Sequence, residues 1–332
     1  MMRILHIHTI NRVANLYAHS LALRGHISTI YEPSLASANA PLPIKAAMIP
    51  VRIFDLRHVV GYLNRDHFDI VHVHWASYGI LGLLSQTPFV VHCHGSDVRN
   101  RLKIPFFRLL LAPVFRRAAA VFCITPDLLP VVRSLRSDAV FVPAPVDTTH
   151  FAPPEDRLSR PWTVLLFARL EPGKGVEIAT TGIERFARRH PEVRVQLLDY
   201  GVLSPIYQQC YGKRFDFIPR VAPEAVQQLI WQADVVVGQF GVGALGLSEL
   251  QAMSCAKPVI ASFRYPGVYP TMPPLCQATS ADEVDAHLER LFQCPDAAEV
   301  IGRQSRDWVI AYHSCAVLAK QLESLYQALV SL

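Results

Sequence analysis

Near-continuously apolar segments recur from one end of the chain to the other, with helix-patterned stretches between them. MRILHIH, HISTIYEP, FDIVHVHW, PFVVHCHG, AVFCIT and AVFVPAPV carry the pattern through the first half. WTVLLFAR, VRVQLLD, RFDFIP, ADVVV and the strand at 258–261 carry it through the second. Strands apolar on both faces belong in parallel sheets covered by helices on both sides, since each parallel crossover needs an intervening helix. Helix patterns fill those intervals: Asn11 to Arg24 with a stop at Gly25, then near 54–65, near 103–118, and from Pro126, Lys174 and Pro223. The expected fold is α/β. With 332 residues, too many for one typical core, it divides into two doubly wound Rossmann-like domains facing each other across a cleft.

A polar, proline-containing segment at 147–161 separates the two runs of alternation. It reads as a linker between a first domain at 1–146 and a second at 162–305, with a further helical segment at 306–332. Residues 35–50 contain prolines and look irregular. The composition, 51% hydrophobic and 18% charged, suits wide covered sheets. No apolar run is long and clean enough to span a bilayer, and the N-terminus reads as a first strand rather than a signal. Seven scattered cysteines without paired spacing imply reduced thiols and a cytoplasmic setting. The net charge of +5 without a long basic run fits an anionic small ligand, and no motif supports nucleic acid as a partner.

The most informative stretch follows ADVVV. Gly238, Gln239, Gly241, Gly243, Ala244, Leu245 and Gly246 make a glycine-rich loop that opens a helix pattern carrying Glu249. Strand, glycine loop, helix is a phosphate-binding geometry: glycine lets the backbone approach an anion, and the helix N-terminus presents unpaired N–H groups. A carboxylate one turn in suits a neutral diol, whose two hydroxyls it can accept together. A diphosphate beside a ribose is a nucleotide.

Arg169 ends a strand and Lys174 lies between Gly173 and Gly175 at a helix start, so both cations are placed to stabilise a leaving diphosphate. The bland alternative is a solvated turn in which they pair with Glu171 or Glu177. His94, at the end of PFVVHCHG, can reach a substrate hydroxyl, or be a buried histidine bonded to backbone. His-x-His recurs at strand ends as His6/His8, His72/His74 and His92/His94, and residues two apart on a strand share a face. A zinc site is conceivable, but no acid or cysteine completes a set at usual spacing, so the reading carries no metal. Arg99 to Arg117 mixes basic and large apolar residues. It is either a helix covering the sheet with a basic outer edge or a contact with anionic lipid headgroups at the inner membrane face.

In this order HGSD at 94–97, VDTTHFAP at 146–153, ARLEPGKG at 168–175 and SELQAMSCAKPVIAS at 248–262 resemble the retaining glycosyltransferases of family 4, which have the GT-B fold. The resemblance covers nearly the whole chain. It implies that Arg169 and Lys174 bind the donor diphosphate, that Glu249 holds the ribose, and that His94 touches the donor sugar near the reacting carbon. It further implies that Pro219, Arg220 and Val221 pack on the base, and that the last helix returns to the first domain. Two departures stand out. The family's first glutamate falls on Gly241, leaving the sugar contact to Gln239 or to loop backbone. The turn after the first strand, TINRVAN, lacks the family's glycines, so Asn11, Arg12 and Asn15, with His74, become the acceptor-side candidates.

The expected activity is transfer of a sugar from a UDP-, GDP- or ADP-sugar to a carbohydrate, lipid-linked or small-molecule acceptor. Retention and independence of metal and other cofactors are expected, with His94, Arg169 and Lys174 as the catalytic group. The alternatives are a catalytically degenerate nucleotide-sugar binder that partners an active transferase, and a nucleotide-sugar epimerase on the same scaffold. Slow donor hydrolysis separates the first, and product analysis without acceptor the second.

Overall fold

The computed structural model describes residues 1–33, 47, 49–155 and 160–331. Most of the 35–50 segment, and 156–159 of the expected linker, lie outside the described residues. The chain forms two compact units, Met1–Pro145 with Cys315–Leu332, and Val146–Ser314.

In the first unit six parallel strands, β1 (Arg3–Ile7), β2 (Ile27–Tyr31), β3 (Ile70–His74), β4 (Phe89–Cys93), β5 (Ala120–Cys123) and β6 (Val140–Phe141), lie in the order β2-β1-β3-β4-β5-β6. Side chains alternate across this sheet. Leu5, Ile7, Val71, Val73 and Val91 meet Leu111, Val114 and Phe115 of the Pro105–Arg117 helix on one face. Ile4, Ile70, Val90 and Phe122 meet Tyr17 and Leu21 of the Val13–Ala22 helix on the other. The same face receives Leu318, Leu322 and Tyr326 of the last helix, Cys315–Val330, which belongs to this unit.

The second unit holds β7 (Thr163–Leu166), β8 (Arg194–Asp199), β9 (Asp216–Pro219), β10 (Val235–Val237), β11 (Val259–Ala261) and β12 (Cys276–Gln277), in the order β12-β11-β10-β7-β8-β9. This is the strand order of dinucleotide-binding sheets, with its reversal between β7 and β10. Val164, Leu166, Val235 and Val237 pack under the Val176–Arg189 and Ala281–Gln293 helices. Leu165, Val236, Val259 and Ala261 pack under Leu247–Ser254 and Pro295–His313, where Trp308 and Val309 are buried.

The two-residue β12 and the Ser204–Tyr211 helix carried no sequence expectation. The helix expected near 54–65 begins earlier, at Ile49. The polar 147–155 segment belongs to the second unit. Asp147 Oδ1 accepts from the amides of Thr149 and His150 at 3.1 and 3.0 Å, and Phe151 is buried.

Candidate functional site

In open α/β sheets, ligands bind beyond the carboxyl ends of the strands where the order reverses. In the second unit those strands are β7, followed by Arg169 and Lys174, and β10, followed by the glycine loop. The geometry links the two loops closely. The Lys174 carbonyl accepts from the amides of Phe240 and Gly241 at 2.9 and 3.2 Å, and Lys174 Nζ donates to Gln239 Oε1 at 2.7 Å. Gln239 Nε2 donates to the Ala244 carbonyl at 3.1 Å. Arg264, from after β11, donates to the carbonyls of Phe240 and Gly241 at 2.8 and 2.7 Å and ties the loop from its other side.

Glu249 sits beneath this loop and is buried. Its Oε1 accepts from the Gln239 amide at 2.9 Å and its Oε2 from the Gly246 amide at 3.0 Å. Burial pushes its carboxyl up from the ordinary value, while those amides and the Lys174 charge pull it back. Both oxygens are thus engaged in shaping the loop, each with a second lone pair to spare. Meanwhile the amides of Val242, Gly243, Ala244 and Leu245 bond to no group among the described residues. A run of bare amides at a helix N-terminus, one bonded lysine away, is an anion cradle.

Gly241 is required by packing. A Cβ there would lie 1.9 Å from the Gly173 carbonyl oxygen, because the two loops touch backbone to backbone. Arg169 is half exposed and pairs with Glu171 at 3.2 Å, so the bland pairing foreseen for it is realised. Pro219 and Arg220 are exposed at the end of β9, with the Arg220 guanidinium 5.1 Å from the Tyr200 ring, and Val221 packs on the core.

The first unit reverses between β1 and β3, and there three strand ends turn through left-handed backbone: His8 (φ 68°), Trp75 (φ 107°) and Gly95 (φ 117°). Asn11 and Arg12 are left-handed too, at φ 49° and 63°. The glycine-free turn after β1 therefore adopts a glycine-like path through its backbone, a conformation costing about 1–3 kcal/mol per residue. Glu32 secures it, accepting from the Thr9 amide at 3.0 Å and bonding His8 Nδ1 at 2.5 Å. Asn11, Arg12 and Asn15 are exposed, with Asn15 Oδ1 accepting the Thr9 hydroxyl at 2.9 Å. His74, by contrast, is fully buried beneath His94 rather than facing an acceptor. Its Nδ1 lies 3.3 Å from His94 Nε2. His94 is partly exposed, and burial followed by the fields of His92 and His8 keeps it neutral by lowering its proton affinity.

The turn that presents His94 is built on Asp97. Its Oδ1 accepts from the amides of His94 (3.0 Å) and Gly95 (2.8 Å), and its Oδ2 from Ala76 (2.8 Å) on the turn after β3. Replacing this buried carboxylate by alanine strands three amides, each costing about 1–3 kcal/mol. Asp97→Ala should lower unfolding free energy by about 3 kcal/mol or more, and Asp97→Asn, which keeps one accepting oxygen, by roughly half that. Urea unfolding measures both. Equal losses, or less than about 1 kcal/mol for alanine, would refute the assignment.

Asp97 was visible only as part of HGSD, while Glu32 and Arg264 carried no sequence signal, since their partners are distant in the chain. In the 99–117 stretch Arg99 pairs with Asp127 at 2.6 Å, and Leu111, Val114 and Phe115 face the core. Ile104, Phe106 and Leu109 are exposed. No described helix is long and apolar enough to cross a membrane.

Comparison with known proteins agrees with this geometry. Residues 8–145 match a glycosyl transferase 4-like domain, and residues 149–308 match the glycosyl transferases group 1 family. No curated protein matches the sequence. Among solved structures, sucrose-phosphate synthase from Thermosynechococcus elongatus is similar over 100% of both chains, at 15% identity and TM-score 0.76. HepE of Anabaena, solved with UDP-glucose, is similar over 99% of this chain and 100% of its own, at 14% identity and TM-score 0.72. A putative UDP-N-acetylglucosamine 2-epimerase from Listeria monocytogenes is similar over 98% and 96%, at 10% identity and TM-score 0.64. At such identities these likenesses speak for the fold alone. With the two family matches, which together span most of the chain, they identify it as a glycosyltransferase of the GT-B fold.

Proposed function

We propose that this chain moves a sugar from a nucleoside-diphosphate sugar to an acceptor hydroxyl with retention of configuration. The observation that carries the proposal is the cradle at the β7/β10 reversal, where Gln239 joins Lys174 Nζ to the Ala244 carbonyl in a loop whose Val242–Leu245 amides are bare. Charge builds on the diphosphate as the glycosidic bond breaks. A fixed ammonium and preset amides stabilise that charge without reorganising, so the donor site needs no metal to neutralise it. Arg169 is positioned on the same loop, and its pairing with Glu171 is weak enough at half exposure to yield to a phosphate. Glu249 keeps the loop in shape and offers its remaining lone pairs to a ribose. His94 is assigned to the donor sugar near the reacting carbon, the role the resemblance implies. No carboxylate of the cradle is free to form a covalent intermediate. The route is therefore front-face: the acceptor oxygen bonds the anomeric carbon as the C–O bond to phosphate breaks, and the leaving phosphate takes the acceptor's proton.

The UDP-glucose complex of HepE favours UDP as the first nucleotide to try. A thermal-shift screen of UDP, GDP and ADP should show one raising the melting temperature, since a ligand at 100 times its Kd stabilises by about 2.7 kcal/mol. No shift with any of the three ends the proposal. A shift without donor hydrolysis or transfer would favour a non-catalytic binder. Epimerised donor sugar in the absence of acceptor would favour the epimerase.

A further inference from the structure

The first-unit sheet carries a ladder of histidines, of which the proposed transfer reaction uses His94 alone. His6, His72, His74, His92 and His94 fall on one face of β1, β3 and β4 because each pair is two residues apart and the strands register His6 with His72 and His74 with His92. Four of the five are fully buried. Among the described residues His6 Nε2, His72 Nε2 and His92 Nδ1 have no hydrogen-bond partner. A buried polar atom left bare calls for an explanation, and an ion is one of the few available.

We propose that His74, His92 and His94 bind a divalent transition-metal ion, with zinc the reference case. One nitrogen of each ring lies within 4.8 Å of the other two. His74 Nδ1 and His94 Nε2 are 3.3 Å apart. Tetrahedral zinc with bonds of about 2.0–2.1 Å sets neighbouring ligand atoms about 3.3 Å apart, so this pair already has the required edge. The tautomer of His92 supplies the third ligand. Its Nε2 faces the Val142 carbonyl at 2.9 Å, and a carbonyl can only accept, so Nε2 carries the proton and Nδ1 keeps a bare lone pair. A ring whose second nitrogen donates to a backbone carbonyl is the usual outer support of a metal-ligating histidine. The second nitrogen of His74 also has a partner, Nε2 lying 3.1 Å from His6 Nδ1. Burial lowers the proton affinity of all three rings, which keeps them in the neutral form that binds metal. Imidazole nitrogens suit zinc, copper, nickel and iron rather than magnesium or calcium. The trio His6, His72 and His74 also lies close, but every member is sealed from solvent. Only His94, partly exposed, gives an ion a way in and leaves the fourth position open to water or a ligand oxygen.

Chelator-treated full-length protein, titrated with cobalt(II), tests this directly. One equivalent should produce the strong visible d–d bands of tetrahedral cobalt, and zinc should bleach them. His94→Ala and His92→Phe should each weaken binding at least tenfold, the usual cost of disturbing such a site. His94→Ala lies at a partly exposed strand end, so it gives the reading even if His92→Phe fails to fold. Absence of tetrahedral bands, or variants that titrate like the parent, overturns the proposal. Neither result depends on nucleotide binding in the second unit, so this site and the donor cradle stand or fall separately.

Discussion

Lys174→Ala should lower turnover by about two to three orders of magnitude, the loss found when one preset charge-stabilising group is removed from a transition state. The reasoning separates two roles of the ammonium. In the folded protein it donates to Gln239 Oε1 at 2.7 Å and lends a field to Glu249. Losing them costs stability on the order of 1 kcal/mol, because one neutral amide oxygen loses a donor while Glu249 keeps both backbone amides. In the proposed reaction the same group faces growing negative charge, and its attraction to a full charge exceeds its bond to a neutral amide. Kinetics with the nucleotide found in the thermal screen, beside a melting curve, decide the matter. A large fall in kcat with a melting temperature within a few degrees of the parent supports the role. Matching losses in both would make Lys174 a structural lysine.

Much of the fold was legible because burial on both faces of a parallel strand leaves an uninterrupted apolar run. Each long strand in both sheets answers to one, from Arg3–Ile7 to Val259–Ala261. Strand order was not legible, since no local pattern says which strands become neighbours. Yet the order β12-β11-β10-β7-β8-β9 is what brings Lys174 beside Gln239, two residues 65 positions apart. The helix expected from Asn11 starts at Val13 because Asn11 and Arg12 are left-handed, a state that sequence rules reserve for glycine. The sequence shows the alternation of histidines, while the register that stacks them across β1, β3 and β4 is a tertiary fact. Arg264, Glu32 and Asp97 shape the loops through bonds to distant backbone, which leaves no trace in spacing.

The glycine at 241 supplies the second large effect, and it runs against the family comparison. The pattern this chain resembles carries a glutamate where Gly241 stands, so Gly241→Glu looks like restoration. The geometry predicts damage. A Cβ at 241 would sit 1.9 Å from the Gly173 oxygen and 3.2 Å from the Gly175 amide nitrogen, both backbone atoms that cannot rotate aside. Gly175 meets the same wall from the other side, its own would-be Cβ 2.8 Å from Phe240 Cβ. Relief requires the 173–175 turn to withdraw. That breaks the bonds from the Phe240 and Gly241 amides to the Lys174 carbonyl and carries Lys174 away from Gln239. Overpacking of this kind costs about 1–3 kcal/mol in stability. Displacing a catalytic cation by 1 Å costs about a hundredfold in rate. Gly241→Ala isolates the steric part: it should lose nucleotide affinity and turnover nearly as fully as Gly241→Glu, because the clash begins at Cβ. If alanine is tolerated and only glutamate fails, charge repulsion of the diphosphate is the cause. If glutamate raises turnover, the two loops do not touch as described, and the cradle built on their contact must be redrawn.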